Sequence, residues 1–156
     1  TPFRSAKHTP INFIYIPTLT SRLRQQPQKK HHNSIKIPIT MTINEFKTKL
    51  KENPSNVAFS ETIELIESLY DFTPSSFLNG DIKNEAGENS GSCKVFAFAK
   101  AQSLSKEEAL ACFGAFYFEE VLNDPTGTGH QNIRNFMNHG FDGLAINGTA
   151  LSEKGV

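Results

Sequence analysis

Three stretches of this chain have the form Ser/Thr-x-x-Glu/Gln: Thr42 with Glu45, Ser105 with Glu108, and Thr128 with Gln131. In such a box the hydroxyl takes a backbone N–H of the first helical turn and the Glu or Gln returns to the cap's own N–H, so each box marks a helix start. Asn53-Pro54, Thr73-Pro74 and Asp124-Pro125 punctuate the same region, and a residue before proline is steered away from α geometry. Starts and stops this close together leave room for several short helices around one core. The spacing of apolar residues predicts a first helix over 42–52 on Ile43, Phe46 and Leu50. A second is capped by Ser60 and turns Ile63, Ile66, Leu69 and Tyr70 inward. A third begins near Ser92 and carries Val95, Phe96 and Phe98. A long fourth helix is expected over 105–122, with Leu110, Phe113, Phe116, Tyr117, Val121 and Leu122 on its apolar face. A short fifth runs from Thr128 through Ile133, Phe136 and Met137 to Gly140, where glycine tolerates the left-handed cap. Residues 77–91 have no helical period and are rich in Gly and Asn, whereas 143–151 read as a short strand and a turn at Asn147-Gly148. The expected fold class is therefore α+β and mainly helical: a single compact domain of about five helices, with a minor two-stranded β element pairing 77–82 with 144–147.

The length of 156 residues suits one domain, and 37% apolar with 21% charged residues is ordinary globular composition. No run approaches the ~18–20 apolar residues of a spanning helix, so no membrane partner is expected. Sixteen basic residues balance sixteen acidic ones, which gives no reason to expect nucleic acid. Their distribution is uneven, because every Asp and Glu lies at or after Glu45 while seven of the Lys and Arg precede Met41, giving the two parts +7 and −7. Residues 1–40 read as a disordered basic leader, either a targeting segment or an artefact of the gene model, in which His31 and His32 are incidental. The domain is expected over 41–151 and a tail over 152–156, and the domain is expected to fold without the leader as a monomer. Cys93 and Cys112 are too few for a disulfide scaffold and lack metal-site spacing. With no zinc spacing, EF-hand loop, serine elbow or dinucleotide fingerprint, neither metal nor cofactor is expected.

Three features carry candidate chemistry. The Gly87 to Lys94 stretch enters a helix and can present N–H groups to an anion, with Asn84, Asn89, Ser92 and Lys94 as ligand residues; the plainer alternative is a tight structural turn. Cys93 falls in the first helical turn, where the dipole and Lys94 would lower its pKa, with His130 or His139 as base and Asn89 or Asn132 as orienter; the plainer alternative is a small buried hydrophobe. His130, Arg134 and Asn138 recur every four residues, so one helix face could recognise a carboxylate or phosphate, or simply be solvated.

A longer pattern runs through Phe77-Leu78-Asn79-Gly80, Asn84, Ala86-Gly87, Asn89 and the run from Gly91 to Ala99. It continues through Leu104, Cys112-Phe113-Gly114, Tyr117, Val121-Leu122, Pro125, the run from His130 to Met137, and 143–151. In order and spacing these blocks resemble the HopJ type III effector family, over about 41–151 and excluding the leader. The chain departs from the family pattern at Phe118, where Arg is usual, and at Phe141, where Trp is common. The resemblance implies a protein of unestablished activity acting by contact with a protein partner, with no known catalytic residue or cofactor. It implies a cytoplasmic protein exported by a type III system; a transit-peptide reading of 1–40 would instead place it in an organelle. Small-molecule or anion binding through 84–94, and Cys93-dependent catalysis, stand as the alternatives.

Overall fold

A computed structural model of the chain describes residues 41–155. The leader expected over 1–40 lies outside the described residues. Helix α1 (Ile43–Glu52) opens on the full Thr42/Glu45 box: Thr42 Oγ1 accepts from the Glu45 N–H at 3.2 Å and Glu45 Oε2 from the Thr42 N–H at 2.8 Å. Those bonds to Thr42 hold the Glu45 carboxyl below its ordinary pKa. Phe46 and Leu50 are buried on its inner face. Helix α2 (Phe59–Leu69) starts one residue before the expected Ser60 cap and has no side-chain cap. Its entry is held instead by the Phe59 ring, stacked on Phe113 at 6.3 Å and edge-on to Phe116 at 5.2 Å. Its buried face is Thr62, Leu65 and Ile66, with the Thr62 hydroxyl donating to the Cys112 carbonyl at 2.9 Å.

Among the described residues five short strands form two antiparallel sheets rather than one two-stranded element. Strand β1 (Tyr70–Phe72) pairs with β5 (Leu151–Glu153), so the pairing runs past the expected Leu151 boundary. Strand β2 (Phe77–Asn79) is flanked by β3 (Ile82–Asn84) and β4 (Leu144–Ile146). The expected contact between the 77 and 144 regions is present, with Phe77 opposite Ile146 and Asn79 opposite Leu144. What the expectation lacked is the turn at Gly80, whose φ of +62° reverses the chain so that Ile82 lies on a separate strand.

Helix α3 (Ser90–Ala101) is the central element, with Val95, Phe96 and Phe98 fully buried. Phe96 touches the Phe77, Phe113 and Phe136 rings at 4.9–6.1 Å between centroids, so one phenyl ring joins β2, the segment after α4 and the last helix. Helix α4 (Lys106–Ala111) begins on the Ser105/Glu108 box and stops far short of Leu122. Gly114, at φ +59°, breaks it where the chain passes the backbone of 57–59; the next turn, Phe116–Val121, is a π-helix. Phe116 and Leu122 are consequently exposed rather than core. Helix α5 (Gln131–His139) ends at Gly140 as expected, but its start is not the Thr128/Gln131 box. His130 is the N-cap, and the Gln131 side chain donates to the Thr128 carbonyl instead of completing a box. Among the described residues no helix is long and apolar enough to cross a membrane.

Candidate functional site

Two helix starts face one cavity. Asn89, Gly91 and Ser92 at the start of α3, and His130, Gln131, Asn132 and Ile133 at the start of α5, line a space of about 420 Å³ together with Phe59, Ile82, Phe113 and Phe116. Both N-caps, Asn89 at φ +49° and His130 at φ +55°, are left-handed, a conformation that costs a typical non-glycine residue ~1–2 kcal/mol and an asparagine less. Neither gives a side-chain cap. Among the described residues no protein acceptor takes the N–H groups of Ser90, Gly91 and Ser92, or those of Gln131 and Asn132. Each start therefore carries the partial positive charge of free N–H groups.

Behind the cavity the two starts are tied by a network of amides. Asn84 Oδ1 accepts from Asn132 Nδ2 at 2.9 Å and from Asn89 Nδ2 at 2.7 Å, while Asn132 Oδ1 accepts from Asn84 Nδ2 and Asn79 Nδ2, both at 3.1 Å. Asn135 adds a bond to the Asn79 carbonyl at 2.9 Å. Asn79 and Asn84 are essentially unexposed, so these bonds are made without competition from water. Asn84 thus supports the site from behind rather than facing a ligand.

The other expected site residues divide. Asn89, Ser92 and His130 come together on the cavity wall. Lys94 turns away: its Nζ lies 2.9 Å from Glu67 Oε1 and 4.9 Å from the centre of the Phe72 ring. Arg134 is committed to the backbone of the preceding loop, donating to the Gly129 carbonyl at 2.6 Å and the Asp124 carbonyl at 2.7 Å. The expected stripe of His130, Arg134 and Asn138 is thereby dissolved, since His130 caps the helix and its Nε2 contacts the Glu120 carboxylate of the π-helix. Glu120, Phe116 and Phe59 are participants that local sequence reading misses, because a π-helix has no spacing signature and Phe59 reaches the site only through tertiary packing.

Cys93 lies in the first turn of α3, but its side chain points into the core and is 1% exposed. Burial raises its pKa, against a smaller lowering by a backbone hydrogen bond with Ser75, so the expected activation is reversed. Cys112 is pushed up to about 12, chiefly by burial and further by Glu108. At pH 8 both thiols should hence hold less thiolate than a free cysteine. The expected result with an aromatic disulfide reagent is no fast phase in the native protein and two thiols after denaturation; rapid labelling of Cys93 in the native state would contradict the burial. No cluster of three or more His, Cys, Asp or Glu among the described residues is placed to hold a metal ion.

Comparison with known proteins agrees with the sequence pattern. The family model described as HopJ type III effector protein matches residues 43–151. A solved structure titled as a crystal structure of the unknown-function protein VPA0580 is similar to this chain at 46% identity and a TM-score of 0.72, covering 76% of this chain and 98% of that one. No curated protein matches. With most of the described residues inside the family match, and the same blocks lining the cavity and its amide backing, the chain belongs to the HopJ type III effector protein family.

Proposed function

We propose that this domain is an effector-like binding protein whose working site is the cavity between α3 and α5, and that it takes a small ligand with an anionic group and a flat apolar body. The observation carrying this reading is the convergence of costly backbone geometry on one place. Among the described residues two of the three left-handed non-glycine positions, Asn89 and His130, meet a π-helix there, the third, Ser103, lying outside the cavity; such features persist where the surroundings over-determine them, often at functional sites. Omitting a side-chain cap forgoes ~1 kcal/mol per helix, in a domain whose whole stability is of order 5–15 kcal/mol. The same chain caps α1 and α4 fully, whereas α2, whose first residue Phe59 also lines the cavity, shares the omission. Free N–H groups suit a phosphate or carboxylate, and the Phe59, Phe113 and Phe116 rings suit an apolar body.

Phenyl phosphate is a suitable probe, with inorganic phosphate and phenol as its halves. Titration followed by amide NMR is expected to shift Ser90, Gly91, Ser92, Gln131 and Asn132 in a saturable way, while the capped starts of α1 and α4 stay still. Gly91→Ala is expected to weaken the affinity about tenfold, because a Cβ there lies 3.0 Å from Phe59 Cζ. Equal shifts at all helix starts, or no saturation, would remove the reading.

A second reading, contact with a protein partner, is favoured by the exposure of Phe116 and Leu122, 37% and 42%, on and beside the π-helix. Leu122 does not line the cavity. Leu122→Ser should therefore weaken a partner contact and leave phenyl phosphate binding unchanged. Export through a type III system accords with the family's description and is a further element of the proposal.

A further inference from the structure

We propose that Asn147 is a site of spontaneous deamidation, through a cyclic imide with Gly148, and that the second Asn-Gly pair of the chain, Asn79-Gly80, is protected by the fold. Glycine after asparagine leaves the following peptide nitrogen unhindered, so both pairs are equally susceptible as sequence. The structure separates them.

In the reaction the Gly148 nitrogen loses its proton and attacks Cγ of Asn147. A new C–N bond forms, the Cγ–Nδ2 bond breaks, and ammonia leaves. Water then opens the imide at either carbonyl, giving aspartate or isoaspartate. The net change is addition of water and loss of ammonia, with no oxidant or cofactor. Three conditions follow: a free peptide nitrogen, a loosely held side-chain amide, and access for water.

Asn147 meets all three. It is exposed, and its side-chain amide makes one long bond, 3.4 Å to Ser76 Oγ. Among the described residues no acceptor takes the Gly148 N–H, and a Cβ built on Gly148 would meet nothing within 4 Å. Asn79 meets none. It is 0% exposed, its Nδ2 is held by the Asn132 carbonyl at 2.7 Å and by Asn132 Oδ1 at 3.1 Å, and the attacking nitrogen of Gly80 already donates to the Gly143 carbonyl at 2.8 Å. Conversion at Asn147 places a carboxylate, or a carboxylate with an extra backbone methylene, on the rim of the groove formed by Ser76, Leu78, Lys83 and Ile146.

The test is incubation of the full chain at pH 8 and body temperature, with peptide mapping for a gain of one mass unit and an isoaspartyl methyltransferase assay. Asn147 is expected to convert first. Asn79 should be at least about tenfold slower in the native protein and comparable to Asn147 in denaturant. Gly148→Ala should slow conversion at Asn147 by a similar factor, with circular dichroism confirming an unchanged fold. Conversion of native Asn79 at the rate of Asn147, or an Asn147 that stays intact while other asparagines convert, would overturn the proposal.

Discussion

Replacing Gly114 by alanine is expected to cost the domain about 3 kcal/mol and to lower its melting temperature by roughly 10 °C. The left-handed φ of +59° accounts for ~1–2 kcal/mol of this. The remainder is steric. A Cβ at Gly114 would lie 2.7 Å from the Phe59 nitrogen and 2.9 Å from the Val57 oxygen. Both are backbone atoms, so no rotamer change relieves the clash, and overpacking of this kind costs ~1–3 kcal/mol. Gly87→Ala is the matched control, because Gly87 has φ +91° with nothing within 4 Å and should show the backbone cost alone. Thermal unfolding by circular dichroism measures both, and equal losses would mean that the approach of Gly114 to the 57–59 backbone is not tight. Displacement of Phe59 would also reshape the cavity, so Gly114→Ala should weaken phenyl phosphate binding as well as the fold.

Asn84→Leu is expected to destabilise by about 2–3 kcal/mol, because it leaves the buried Asn132 amide without its acceptor. The Asn89 amide loses the same oxygen but lies close enough to solvent to recover a water. The informative variant is the double replacement Asn84→Leu with Asn132→Leu. Removing both partners of a buried bond costs less than orphaning either, so its loss should fall short of the summed singles by ~1 kcal/mol or more. Strict additivity in urea denaturation would show that the amides do not act as a unit.

The parts of this fold legible in sequence are those decided within four residues. Thr42/Glu45 and Ser105/Glu108 form their boxes because hydroxyl, carboxylate and backbone all belong to one turn. Thr128/Gln131 has the same spelling and fails, since the chain reaches α5 through a left-handed His130 whose ring is engaged by Glu120 and packs on Phe116 at 5.2 Å. Gly114 likewise reads as a tolerable glycine inside a helix until the backbone of Val57 and Phe59 is placed against it. The sequence places Cys93 in the first turn of α3 but is silent on its outlook, because which way a first-turn side chain points depends on the Ser75 segment packed over it. The cavity was half legible: Asn89, Ser92 and His130 were nameable from motif chemistry, whereas the phenyl wall and the π-helix arise from tertiary packing. The family pattern was fully legible, since it rests on residue order rather than geometry.

The pairing of β1 with β5 sets Tyr70 opposite Glu153 and Phe72 opposite Leu151. Whenever the polypeptide emerges from its N-terminal side, at the ribosome or from any narrow channel, β1 is delivered long before the strand that completes it. Thr73 waits for the Ala150 carbonyl in the same way, and the Leu69 carbonyl for the Lys154 N–H. The nascent domain must remain open along this seam until its last segment arrives. Such long-range closure slows folding and exposes unpaired strand edges meanwhile. Helices α1 to α4, of 6 to 12 residues, are too short to be stable without tertiary packing, and the β1–β5 seam closes only with the final few residues, so premature termination anywhere before Leu151 should yield a chaperone client rather than a smaller stable protein.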